Sequence, residues 1–158
     1  MAINKDNINA MYNLGYYYQF SEKNYDEMKK YYLRAINKGN VEAMNSLGLY
    51  YQNIEKNYDE MKKYYLMAIN KGNINAMYNL GLYYQNIEQN YDEMKKYYLR
   101  AINKGNVEAM NSLGLYYQNI EKNYDEMKKY YLMAINKGNI NYISKILNKI
   151  MIKWKNIT

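Results

Sequence analysis

Apolar residues fall along this chain at two linked helical spacings. In the stretch that begins at Val41, Ala43, Leu47, Tyr50 and Tyr51 recur at three- and four-residue intervals and predict a first helix from Val41 to about Asn53. Met61, Tyr65, Ala68 and Ile69 repeat the pattern and predict a second, from Tyr58 to Lys71. Asn53-Ile54-Glu55-Lys56 reads as the linker between them. Asn40 stands where the first helix needs an N-cap, and Asn57 with Glu60 forms a variant capping box for the second. Asp59 and Glu60 lie at the positive end of the second helix, and Asp59/Lys63 has the spacing of an i,i+4 ion pair worth ~0.3 kcal/mol. Gly72 then suits the left-handed residue that ends it.

This hairpin is a repeat. Residues 41–73 recur without change as residues 107–139, and residues 8–40 match residues 74–106 except at Tyr16/Leu82, Phe20/Asn86, Ser21/Ile87 and Lys23/Gln89. All eight glycines fall on two ladders with the same period of 33 residues: Gly15, Gly48, Gly81, Gly114 and Gly39, Gly72, Gly105, Gly138. A fixed period of this length predicts stacked hairpins rather than a closed globule. Each unit is too short to be stable alone and depends on burying its apolar stripe against its neighbour. The expectation is an all-α chain, an α-solenoid of four helix-turn-helix repeats (8–40, 41–73, 74–106, 107–139) in a single domain, residues 1–158. Residues 2–7 echo 35–40 and read as the last turn of a preceding helix. From Ile140 the pattern changes, and Ile143, Ile146, Leu147, Ile150, Met151 and Trp154 with lysines on the other side predict a capping helix over 140–156. With so many tyrosines in the stripe, each buried phenol needs a partner for its hydroxyl, and rings are expected inside with oxygens at the surface.

Charge changes this picture little. The formal net charge is +7, but counting Lys and Arg against Asp and Glu gives +2, 0, +1 and 0 for the four repeats and +4 for residues 140–158. The basic excess therefore sits mainly in the tail, which points to solvation of an open end before it points to nucleic acid. Abundant Tyr, Asn, Ile, Lys and Met with no Pro or Cys suits an AT-rich genome, such as that of a large DNA virus of protists or of a protist. The N-terminus shows no apolar run, and no apolar stretch approaches a membrane span, so a soluble intracellular protein is expected, cytoplasmic, in the host cytoplasm if viral.

Chemistry is excluded on several counts. There is no histidine to act as base beside the four serines, no cysteine for a thiolate site, and no glycine outside the repeat ladders to build a phosphate loop. Asp59 and Glu60 are adjacent at a helix start, where they serve the dipole rather than acid/base work. The chain reads as a non-enzyme that needs no metal and no cofactor.

Leu47-Gly48-x-x-Tyr51, followed by Tyr58, Tyr65 and Ala68, resembles the tetratricopeptide repeat superfamily. The junction Ala68-Ile-Asn-Lys-Gly72-x-x-x-Ala76, which lacks a closing proline, is similar to that of the Sel-one-like subfamily. The linker here is shorter than that subfamily's and lacks its glycines, and Met44 and Met61 depart from the superfamily pattern. The resemblance implies a right-handed superhelix whose first helices line a concave groove that holds partner proteins.

Carried onto repeat two, the groove positions are Glu42, Asn45, Leu49, Gln52 and Asn53. Across the repeats they form an apolar column, Tyr16, Leu49, Leu82 and Leu115; an amide column, Gln19, Gln52, Gln85 and Gln118; and an alternating column, Tyr12, Asn45, Tyr78 and Asn111. Amides that donate and accept at once suit the peptide groups of an extended segment, and the apolar column suits its side chains. Against this stand two simpler readings, that Leu49 packs within the stack and that the Gln column is a solvated face. The ladder Asn9, Glu42, Asn75, Glu108 does not match a carboxylate clamp. The leading expectation is an adaptor that binds a partner protein or peptide, and the alternative is self-assembly through exposed repeat ends as a homo-oligomer. Single-stranded nucleic acid ranks third because the groove columns hold no Lys or Arg.

Overall fold

The structure is a computed structural model that describes residues 7–138. Among these residues there are eight α-helices and no strand: α1 (Ile8–Tyr17), α2 (Tyr25–Asn37), α3 (Val41–Tyr50), α4 (Tyr58–Asn70), α5 (Ile74–Tyr83), α6 (Tyr91–Asn103), α7 (Val107–Tyr116) and α8 (residues 124–138). The expected all-α array of helix-turn-helix repeats is what the chain forms. Its contacts divide it into two compact units, Met1–Leu80 and Gly81–Thr158, each described on its own below. The predicted capping helix over 140–156 and all but Asn7 of the predicted terminal turn at residues 2–7 lie outside the described residues.

Asparagine sets where each helix begins. The side-chain oxygen of Asn40 accepts the Ala43 N–H at 2.7 Å, and that of Asn57 accepts the Glu60 N–H at 3.2 Å. Equivalent caps sit at Asn7, Asn24, Asn73, Asn90, Asn106 and Asn123. Such a cap is worth about 1 kcal/mol to its helix. Gly72 ends α4 with φ of 84°, as expected, and its N–H donates to the Ile69 carbonyl at 2.9 Å. The Asn73 N–H returns to the Ala68 carbonyl at 3.0 Å, so one asparagine closes α4 through its backbone and opens α5 through its side chain.

The turn inside the hairpin differs from expectation. The first helix does not run regularly to Asn53 and then unwind. α3 stops at Tyr50 and continues as a π-helical turn, Tyr51–Glu55, in place of the linker. Lys56 ends it in the left-handed region at φ 56°, and the Asn57 N–H reaches back to the Tyr51 carbonyl at 3.0 Å. Lys23, Gln89 and Lys122 do the same in the other repeats. A wider turn with one non-glycine left-handed residue thus reverses the chain without a glycine-rich insertion. The ion pair on α4 also shifts: Lys63 bonds Glu60 at 3.0 Å, three residues away, rather than Asp59. Glu60 therefore serves Lys63 while Asn57 supplies the cap.

The hairpin interior holds the residues the spacing picked out. Ala43, Leu47, Tyr50, Met61, Tyr65, Ala68 and Ile69 are buried, joined by Met44 and Tyr64, while Tyr51 of the same stripe is half-buried. Full burial of a Leu or Met stabilises by ~1.5–3 kcal/mol. Gly48 is required here for space: a Cβ on it would lie 2.5 Å from the Tyr65 ring carbon Cδ1. The ring of Tyr51 stacks on that of Tyr64, with centroids 5.6 Å apart and planes 5° from parallel. Tyr65 is completely buried, oxygen included in the hairpin rather than at the surface, and its hydroxyl finds a partner in Gln52 at 2.7 Å. Among the described residues no buried side-chain polar atom lacks a hydrogen bond.

Within each unit, successive repeats are joined by a clasp. In the first unit Lys29 of α2 reaches Glu55 at 2.9 Å, the Tyr50 hydroxyl donates to the same carboxylate oxygen at 2.8 Å, and the Lys29 ammonium lies 5.6 Å from the Tyr50 ring centroid. Tyr25 covers the other side, its ring 5.2 Å from that of Tyr50. In the second unit Lys95, Glu121, Tyr116 and Tyr91 repeat the arrangement, with Lys95–Glu121 at 3.1 Å and Tyr91–Tyr116 at 5.2 Å. Hydrogen bonds from Lys29 and Tyr50 hold the Glu55 carboxyl below its ordinary value, and burial with the Glu55 bond raises that of the Tyr50 hydroxyl.

A candidate partner-binding surface

Residues that leave the core at the hairpin turn create an apolar hollow in the first unit. Tyr16 on α1 and Phe20 on the following π-turn are four residues apart, and their rings meet at 4.5 Å and 44°. Both are largely exposed. Leu49 of α3 and Ile54 of the next turn face them across a depression of about 310 Å³, with the amides of Gln19 and Asn53 in its wall. A second depression of about 210 Å³ shares Gln19, Phe20 and Ile54 and adds Lys23 and Tyr25. Gln19, Phe20 and Ile54 thus border both hollows.

Four of the sequence-predicted positions, Tyr16, Gln19, Leu49 and Asn53, are brought together here. Tyr12 is half-buried one turn earlier, stacked on Tyr32 at 5.8 Å. Asn45 is half-buried and accepts the Asn79 amide at 3.2 Å, so it works inside the stack of the first unit. Tyr78 and Leu82 are half-buried, and Asn111 and Leu115 are exposed.

The amide column has a role that spacing alone did not reveal. Gln19, Gln52, Gln85 and Gln118 each accept a hydrogen bond on Oε1 from a tyrosine thirteen residues on, Tyr32, Tyr65, Tyr98 and Tyr131, at 2.7, 2.7, 2.6 and 3.0 Å. These glutamines are neither simply solvated nor wholly free for a ligand. Their carbonyl side anchors the core tyrosine, and what remains for a partner is the NH2 group. The signal was present in the sequence as two invariant ladders at a constant offset. Burial raises the ionisation of Tyr32 and Tyr65, which keeps both hydroxyls as donors.

No group of acidic residues among those described is arranged to hold a metal ion. No helix among them is long and apolar enough to cross a membrane.

Hairpins of this kind, stacked through a glycine against an aromatic ring, define the tetratricopeptide class of helical repeats, and a tetratricopeptide repeat model matches residues 8–37. Within that class the chain belongs to the Sel1 repeat family, whose model matches residues 41–73, 74–106 and 107–139. The repeat boundaries coincide with those read from the sequence. This repeat fold commonly mediates protein–protein interaction. A Sel1 repeat protein from Oxalobacter formigenes is similar over 84% of this chain and 59% of its own, at 25% identity and a TM-score of 0.67. c5321, a protective antigen of uropathogenic Escherichia coli with an SLR fold, is 29% identical with a TM-score of 0.68, over 84% of this chain and 31% of that one. The chain thus spans about three-fifths of the first and one-third of the second. Immunity protein Pa5087 from Pseudomonas aeruginosa, 19% identical with a TM-score of 0.58 over 82% of this chain and 68% of its own, shares the fold. No curated protein sequence matches the chain.

Proposed function

We propose that this chain is a non-enzymatic scaffold that binds a segment of a partner protein in the groove lined by its first helices, centred on Tyr16, Phe20, Leu49 and Ile54. The supporting observation is the apolar hollow of about 310 Å³ formed where these side chains stand outside the core beside amide groups. The chemistry suits an extended segment that inserts an apolar side chain and offers backbone carbonyls to the Gln19 and Asn53 amides. No charged group is among the residues that form this hollow, so the partner segment is uncharged at its point of entry.

Selection of a displayed random-peptide library on the immobilised protein supplies the ligand. Titration calorimetry then compares wild type with Leu49→Asp and Phe20→Asp. The expected result is at least tenfold weaker binding for each, with helical circular dichroism and melting temperature preserved. Equal affinity for all three proteins removes this face as the site.

A further inference from the structure

The two hollows of the first unit share a border but differ in charge. Gln19, Phe20, Tyr25 and Ile54 line the smaller one together with Lys23, the only charged side chain among the described residues that line either. Lys23 is exposed, and the turn fixes its backbone at φ 53° with its N–H donated to the Tyr18 carbonyl. The carboxylates that end the two flanking π-turns are engaged by other groups. Glu22 accepts the Tyr17 hydroxyl at 2.9 Å, and Glu55 accepts Lys29 at 2.9 Å and the Tyr50 hydroxyl at 2.8 Å. Three of the four positions at which repeat one departs from repeat three line these hollows: Tyr16, Phe20 and Lys23. The corresponding set in the second unit, Gln85, Asn86, Gln89, Tyr91 and Ile120, keeps the amide, the phenol and the isoleucine and loses the phenyl ring and the charge. Repeat one carries a net +2 and repeat three +1, and Lys23 is the difference.

We infer that the partner segment of the first unit is acidic: an extended chain that seats an uncharged apolar side chain in the larger hollow and, two residues away, sets a carboxylate beside Lys23. This preference rests on the proposed binding of a segment at the same face and gives the chemistry of its partner. Alternate residues of an extended chain point to one side about 6.6 Å apart. The hollows adjoin through Gln19, Phe20 and Ile54, so side chains of that spacing can enter both. The larger hollow, lined by no charge, takes the apolar residue, and the smaller one is where a carboxylate finds an ammonium. Burial of the apolar side chain supplies most of the affinity, while the exposed charge pair selects among apolar segments and steers them in. The net charge of +7 acts in the same direction at longer range.

The test uses library-selected peptides amidated at the C-terminus, so that no terminal carboxylate contributes, titrated into wild type and Lys23→Glu at low salt. Selected sequences are expected to carry Asp or Glu two residues from the apolar residue whose replacement by Ala weakens binding most. Replacing that acid by Gln is expected to weaken binding to wild type about twofold to fivefold, the range of an exposed ion pair, and replacing it by Lys to weaken it further. Against Lys23→Glu the order reverses, and the Lys peptide binds better than the acidic parent. Misfolding cannot produce a reversed order. Selected peptides without an acid at that spacing, or one order of affinities for both proteins, overturn the acidic preference, while loss of binding on Leu49→Asp leaves the apolar site standing. Binding indifferent to both Leu49→Asp and Phe20→Asp removes the site and its acidic preference together.

Discussion

Repeats one and three are the same hairpin inside and different hairpins outside. In both, the glycine Cβ position lies 2.5 Å from the partner ring, Gly15 on Tyr32 and Gly81 on Tyr98, and both rings are fully buried. In both, the tyrosine hydroxyl is held by the glutamine thirteen residues earlier. The four differences gather on the end of the first helix and its π-turn, where Tyr16 and Phe20 stand in place of Leu82 and Asn86. Even Lys23 and Gln89 share the same left-handed backbone, at φ 53°. The stack constrains the seam between helices tightly and leaves the turn free to vary, and it is at the turn that repeat one contributes an aromatic pair to a hollow.

The comparison breaks first, and with the largest effect, at the seam. Gly15→Ala and Gly81→Ala each force a methyl against a buried ring, and each is expected to lower stability to urea by about 3 kcal/mol, at the upper end of overpacking. If the two differ by more than a third, the seams are not equivalent. Smaller, but as informative, is the loss of the hydroxyl. Tyr32→Phe and Tyr98→Phe each leave a glutamine carbonyl without its donor and are expected to destabilise by ~1 kcal/mol in the same assay. A neutral result at either position assigns the Gln column to solvent or ligand instead of the core.

Much of this was legible in the sequence for one reason: a repeated pattern reports its own register. Helix positions, asparagine caps, the Gly72 stop and the buried set Leu47, Met61, Tyr65, Ala68 and Ile69 all follow from local spacing. The π-turn did not, because Asn53-Ile54-Glu55-Lys56 carries no residue that demands it, and a left-handed lysine has no sequence signature. The Tyr65–Gln52 bond was hidden because thirteen residues is not a period of one helix. It joins two helices and appears only when the hairpin closes. Of the outer columns, Asn45 is engaged within the stack and Gln52 is shared between core and surface. Hydropathy separates inside from outside along a helix but does not say which outside residues a neighbouring hairpin will reach.

The smallest expected effect on stability accompanies the most direct test of function. The four residues of repeat one are replaced by those of repeat three, Tyr16→Leu, Phe20→Asn, Ser21→Ile and Lys23→Gln together, and the variant is compared with wild type for binding the library-selected peptide. All four sites lie outside the seam, so stability is expected to change by less than about 0.5 kcal/mol per site. Peptide affinity is expected to fall at least tenfold while the melting temperature holds. Unchanged affinity in a chain that no longer carries the Tyr16–Phe20 pair contradicts it.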